Sequence, residues 1–225
     1  MNETDKRAVI WDVDGTLVDT GELHFRAWVE LAESIQQPFT RADFAATFGW
    51  RNPEIIPKLF GTHRSEQEVI ELGDRKEAIY RAEAAKGVNL LPGVNALLAK
   101  LHATGFKQAI GSSAPRHNLD LILELTNSAS YFDAVIAMED TQNGKPHPEV
   151  FLRGAERLGV PPARCLVMED APAGVQAARA GGMKCIGITF VGHHSAEKLK
   201  AAGADRVVQS LEEVTVADVD ALLAQ

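Results

Sequence analysis

Asp12 and Asp14 stand two residues apart in Asp12-Val13-Asp14-Gly15-Thr16, directly after the apolar run Ala8-Val9-Ile10-Trp11. In an extended chain, side chains at i and i+2 project to the same side, so the two carboxylates face one place. Gly15 then permits a tight turn that opens the backbone towards a ligand. Such a pair can attack a bound group, move protons on it, or hold a hard cation. The plainer reading is an Asx turn that ends a strand. With each residue type at about 5–7% usage, the four specified positions coincide by chance in only about a few chains per thousand of this length. Three further polar groups follow along the chain: Gly111-Ser112-Ser113, Lys145-Pro146 and Glu169-Asp170. Taken singly, Ser112 reads as a helix cap, Lys145 as a solvated charge and Glu169-Asp170 as a surface turn.

Their positions relative to the apolar runs join them. Runs recur at Ala8–Trp11, 108–110, 134–138, 165–168, 185–188 and 206–208, without polar alternation. That is the pattern of strands buried on both faces. Helical spacing lies between them, at Val94-Leu97-Leu98-Leu101, Leu119-Ile122-Leu123, Val150-Phe151-Ala155-Leu158 and Val175-Ala178. The alternation predicts an α/β fold: a doubly wound, mostly parallel, Rossmann-like sheet with helices on both faces. Ligands of such sheets bind outside the carboxyl ends of the strands. The carboxylates, the serines and the acidic pair each close a run, and Lys145 follows the third after a loop. One stretch breaks the rhythm. From 19 to 91 there is helical spacing (Leu23, Ala27, Leu31, Ile35; then Val69, Leu72, Ile79, Tyr80) and no strand. The predicted organisation is an α/β core of 1–18 and 92–225 with a small helical cap of 19–91.

The chain has 225 residues, with 31 acidic against 23 basic side chains and a formal charge of −8. That balance repels phosphate backbones and argues against nucleic-acid binding. Two cysteines, both in apolar runs, exclude a disulfide framework and suit a reducing compartment. No signal-peptide pattern and no membrane-spanning run occurs, so a cytoplasmic protein without membrane partners, monomeric, is expected.

The ordered set Asp12-Val13-Asp14-Gly15-Thr16, Ser112, Lys145-Pro146 and Glu169-Asp170-Ala171-Pro172-Ala173-Gly174 resembles the haloacid dehalogenase superfamily, and more closely its β-phosphoglucomutase-like and sugar-phosphatase branch. The resemblance spans nearly the whole chain. It implies that Asp12 attacks phosphorus and becomes an aspartyl phosphate, while Asp14 serves as general acid and base. It further implies that Ser112 and Lys145 hold the phosphoryl oxygens, and that Mg²⁺ sits on Asp12, the Asp14 carbonyl, Glu169 and Asp170. The chemistry agrees, since a carboxylate cannot approach an anionic phosphate unless cations offset the repulsion.

Substrate choice then falls to the cap. By the same resemblance Thr20, His24 and Trp28 face the site, Lys76 matches a cap lysine, and Gly49 and Arg51 lie in a specificity loop. Arg51 stands one residue early against the mutase pattern. Ser113 and Arg116 follow the phosphatase pattern. Without the resemblance, His24 reads as a half-buried helix histidine and Lys76 as a solvated charge. His193-His194 reads as a solvated loop, because adjacent side chains diverge. The expected function is Mg²⁺-dependent dephosphorylation of a small phosphorylated sugar or related metabolite. The alternative is β-phosphoglucomutase chemistry, and an inactive regulatory member of the fold is disfavoured by the intact motif residues.

Overall fold

A computed structural model describes residues 6–225. Six strands are joined in one wholly parallel sheet: β1 (Ala8–Trp11), β2 (Lys107–Gly111), β3 (Ala134–Ile136), β4 (Cys165–Glu169), β5 (Lys184–Ile188) and β6 (Arg206–Val208). Their spatial order is β3-β2-β1-β4-β5-β6. The order reverses at β1, so the carboxyl end of β1 opens on the crevice where doubly wound sheets bind ligands. Trp11 is level with Ile110 on one side and Met168 on the other, which sets Asp12 beside the ends of β2 and β4.

The unbroken apolar runs make sense in this sheet. Val9, Trp11, Ile110, Leu166 and Met168 point to one face, against α5 (Val94–Ala103), α6 (Arg116–Thr126) and α10 (Val216–Leu223). Ala8, Ile10, Ala109, Cys165 and Val167 point to the other, against α7 (Glu149–Leu158), α8 (Pro172–Ala180) and α9 (Ala196–Ala202). Both cysteines are buried and free. The apolar spacing does not announce α9 or α10. Leu199 is the single buried residue of α9, and Val219 and Leu222 those of α10, so neither carries a full stripe. The third run ends early because Met138–Asp140 wind into a 3₁₀ turn.

Between β1 and α5 lie four helices: α1 (Gly21–Ser34), α2 (Arg41–Thr47), α3 (Asn52–Phe60) and α4 (Glu66–Ala84). Thr40 with Asp43 and Ser65 with Glu68 form capping boxes that start α2 and α4. The four helices share their own apolar cluster, including Trp28, Leu31, Phe44, Ile56, Phe60 and Leu72. Val18 and Leu90 pair in an antiparallel bridge, and Leu91 N donates to Leu17 O at 2.8 Å. The chain therefore leaves and re-enters the sheet domain at one place. Among the described residues, no helix is long and apolar enough to cross a membrane.

Candidate active site

Asp12 N donates to Met168 O (3.0 Å), which carries the strand geometry one residue past β1 and fixes where the Asp12 carboxylate points. Lys145 Nζ donates to Asp12 Oδ1 (2.6 Å) and to Glu169 Oε2 (2.8 Å). All three side chains are buried. Burial alone would push the Lys145 ammonium down, but the Asp12 and Glu169 carboxylates hold it above the usual lysine value. Burial, and then the charge of Glu169, push Asp12 up to about 8, and Asp170 is raised well above the carboxylate range for the same reasons.

Asp12, Glu169 and Asp170 bring one oxygen each within 4.8 Å of one another. When ionised, three carboxylates and one ammonium carry two net negative charges in a buried space, the deficit that a divalent cation makes good. Asp170 Oδ2 is buried and has no hydrogen-bond partner among the described residues. The donors are hard oxygens, so the residues fit a hard divalent cation. Two glycines make the space. Gly15 has φ +91°, and a β-carbon on it would collide with the Asp170 carboxylate; one on Gly174 would collide with Glu169. The Asp14 carbonyl, the fourth expected donor, belongs to the same turn as Asp12.

Behind this cluster runs a second chain of contacts, crossing from the sheet domain into the helical insert. Thr20 Oγ1 donates to Asp14 Oδ1. His24 Nε2 lies 3.2 Å from the same oxygen, and Lys76 Nζ lies 2.7 Å from His24 Nδ1. An ammonium can only donate, so Nδ1 accepts and Nε2 carries the proton given to Asp14. Burial alone would raise Asp14, but His24, by its ring dipole and hydrogen bond, the Thr20 hydrogen bond and the Lys76 charge behind them bring it below the usual carboxylate value. His24 is stacked on Tyr80, with ring centroids 4.0 Å apart and planes 10° from parallel. Lys76, 2% exposed, sits over the Trp28 and Tyr80 rings.

Lys76 also donates to Glu77 Oε1 (2.9 Å), which accepts from Asn52 Nδ2 (2.8 Å) as well. Glu77 Oε2 accepts from Asn118 Nδ2 (2.6 Å), and Asn118 Oδ1 accepts from Arg81 (3.0 Å). Nothing in the spacing announces this network. Glu77 on a charged helix reads as solvated, yet it is 4% exposed. Burial would raise it, but Lys76 and His24 and the bonds from Lys76 and Asn118 take it down to about 2.

A depressed carboxyl stabilises the fold above its unfolded pKa and loses that contribution as pH falls through its folded one. Glu77→Gln is expected to lose about 3 kcal/mol at pH 7, since Lys76 stays buried without its counter-charge. The gap to the parent should narrow between about pH 4.5 and pH 2. Urea titrations of both proteins across that range check it; a pH-independent gap would exclude the ion pair as its cause.

The cleft between the strand ends and the insert is lined by Asp12, Asp14, His24, Trp28, Gly49, Lys76, Ser112, Ser113, Lys145, Glu169 and Asp170. Ser112 is buried, and its N–H donates to Ile136 O (3.1 Å). Three of the expected residues are placed elsewhere. Thr20 is fully buried behind Asp14 and acts on it, not on the cleft wall. Arg51, expected in the cleft, points to the sheet-domain loop instead. Its guanidinium donates to Glu54 Oε1 (3.2 Å), Thr141 O (3.2 Å) and Gln142 O (2.9 Å). Arg116, also expected at the substrate, is taken by Asp140 and by Val135 O (3.1 Å). In both cases nearby acceptors satisfy the fork before a ligand could.

The reading of His193-His194 as a solvated loop is corrected. His193 packs against Phe48 and Phe44, with ring centroids 4.5 and 6.0 Å away, and over Gly21, where a β-carbon would strike the imidazole. Burial lowers His193, and burial, Lys198 and His193 take His194 down to about 4.

The sequence and the topology have counterparts in known proteins. A family model described as haloacid dehalogenase-like hydrolase matches residues 6–182. The chain is 34% identical over 217 residues to a β-phosphoglucomutase of Bacillus subtilis, covering 93% of this chain and 92% of that one. It is 31% identical over 216 residues to a phosphorylated carbohydrates phosphatase of Thermotoga maritima, covering 93% and 97%. The crystal structure of a β-phosphoglucomutase from Clostridium difficile superposes with a TM-score of 0.87 at 26% identity, covering 97% of each chain.

Proposed function

This chain belongs to the haloacid dehalogenase-like hydrolases and is an enzyme of that family, and from that premise we propose that it is a Mg²⁺-dependent phosphatase of a small phosphorylated sugar or related metabolite. The observation that carries the reading is the Asp12 carboxylate held by Lys145 beside Glu169 and Asp170, with Asp14 one turn away on the His24–Lys76 chain. Residues 19–91 serve as the cap over that site.

Asp12 attacks phosphorus, the ester P–O bond breaks, and Asp14 gives the leaving oxygen its proton. Lys145 and Ser112 hold the phosphoryl oxygens. Asp14 then takes a proton from water, water attacks phosphorus, and Asp12 is released with inorganic phosphate. Asp14 is kept ionised by Thr20 and His24, which suits the base role. The dianionic phosphate beside it raises its proton affinity for the acid role. When bound to Asp12, Glu169, Asp170 and the Asp14 carbonyl, Mg²⁺ offsets the repulsion between nucleophile and phosphate. Because His24 reaches Asp14 from α1, opening of the cap would withdraw support from the acid/base residue.

The second reading, phosphoryl transfer to a sugar hydroxyl as in a phosphoglucomutase, uses the same residues and is favoured by that His24–Lys76 link. Phosphate release from p-nitrophenyl phosphate and from a panel of phosphorylated sugars tests the proposal, with and without a sugar bisphosphate as primer. Inorganic phosphate should exceed isomerised sugar phosphate in every case; a tenfold excess of isomerisation would give the site to the mutase. EDTA should silence the enzyme and Mg²⁺ restore it, with Asp170→Ala raising the half-saturating Mg²⁺ concentration about tenfold or more. Full activity in EDTA would refute the metal assignment.

A further inference from the structure

Taking the site as a phosphatase centre, we infer that it accepts monophosphates whose remainder is uncharged and hydroxylated, and that Glu77 is the residue that excludes a second phosphate. The side chains lining the cleft include five carboxylates, Asp12, Asp14, Glu77, Glu169 and Asp170, against two ammoniums, Lys76 and Lys145. A divalent cation still leaves this set negative before any substrate arrives. One phosphoryl dianion is met at the sheet end by Lys145 and the cation. At the cap end the described residues offer no equivalent. Lys76 is committed to Glu77 at 2.9 Å and to His24 at 2.7 Å, and Arg51, Arg81 and Arg116 are turned to acceptors outside the cleft.

A second phosphate would therefore meet Glu77 in a water-poor space, where like charges repel strongly. A hydroxyl would be received well there. The second N–H of the Asn52 amide, whose first goes to Glu77, can donate to it. A carboxylate offers about four lone-pair sites, and Glu77 uses three, on Lys76, Asn52 and Asn118, so one remains to accept. Trp50 and Phe48 line the same end and give apolar faces against which C–H groups of a polyol or sugar pack.

Binding read without turnover separates this inference from the reaction itself. Asp12→Asn protein in Mg²⁺ is titrated by calorimetry with fructose 1-phosphate against fructose 1,6-bisphosphate, and with glucose 6-phosphate against glucose 1,6-bisphosphate. The bisphosphate should bind about tenfold or more weakly in at least one pair, and adding Glu77→Gln should narrow that ratio to about threefold or less. Equal or tighter binding of both bisphosphates overturns the inference, as does binding of no ligand in either pair. A folded double variant with an unchanged ratio overturns the role of Glu77. If the double variant does not fold, the ratio in Asp12→Asn alone decides. Failure of the phosphatase reading shows separately, as absent p-nitrophenyl phosphate hydrolysis by the unsubstituted enzyme.

Discussion

Asp12→Asn should cost about four orders of magnitude or more in phosphate release, the scale on which deleting a covalent nucleophile is felt. Its effect on the fold should run the other way. Asp12 lies in a buried group of three carboxylates that one ammonium does not neutralise, and burial with Glu169 pushes its carboxyl up to about 8. An isosteric amide keeps an acceptor for Lys145 Nζ and removes one of the repelling charges. In EDTA the variant should therefore melt at the parent's temperature or above it. Two measurements check this: a molybdate assay in Mg²⁺ and a thermal scan in EDTA. Activity above about 1% of the parent would show that Asp12 is not the nucleophile. A lower melting temperature would show that its charge supports the fold, contrary to the cluster's electrostatics.

The core of this site is legible in sequence because strand ends are legible. An apolar run that stops at Asp12, Gly111 or Glu169 marks the carboxyl edge of a parallel sheet, and residues one step beyond such edges converge in space. Lys145 lies off any strand, yet it donates to Asp12 and Glu169, the residues that sheet register brings together. What the sequence does not disclose is how charges on helices are partnered. Glu77, one position from Lys76 on α4, looks like half of a solvated pair until Asn52 and Asn118 arrive from α3 and α6. Arg51 and Arg116 have the chemistry of phosphate grips, but their forks close on Glu54, Thr141, Gln142 and Asp140, and only the fold places these acceptors. His193 is a similar case: a histidine in a Gly-containing loop reads as exposed, and the Phe44–Phe48 surface that covers it belongs to a helix some 145 residues earlier in the chain.

Lys145→Ala should lower kcat/KM by about 2–4 kcal/mol of transition-state stabilisation, roughly 30- to 1,000-fold, the size of one preorganised charge at a reacting phosphoryl group. The residue is buried with its ammonium fixed by two carboxylates, so it reaches the transition state without reorganising. Two secondary effects distinguish this from a loss of packing. Removing the ammonium leaves Asp12, Glu169 and Asp170 with three negative charges instead of a net two, so the site should attract a divalent cation more strongly. The Mg²⁺ concentration giving half-maximal rate should fall even as the maximal rate falls. In EDTA, by contrast, the variant should lose stability, because burial then acts on carboxylates without a partner. Lys145→Arg should rescue little, since a planar fork cannot occupy the place of a point charge 2.6 Å from Asp12 Oδ1 and 2.8 Å from Glu169 Oε2. Kinetics across a Mg²⁺ titration read both effects at once. A rate change below tenfold would place Lys145 outside the reacting centre, and a raised Mg²⁺ requirement would mean that the lysine organises the carboxylates for the metal and does not compete with it for their charge.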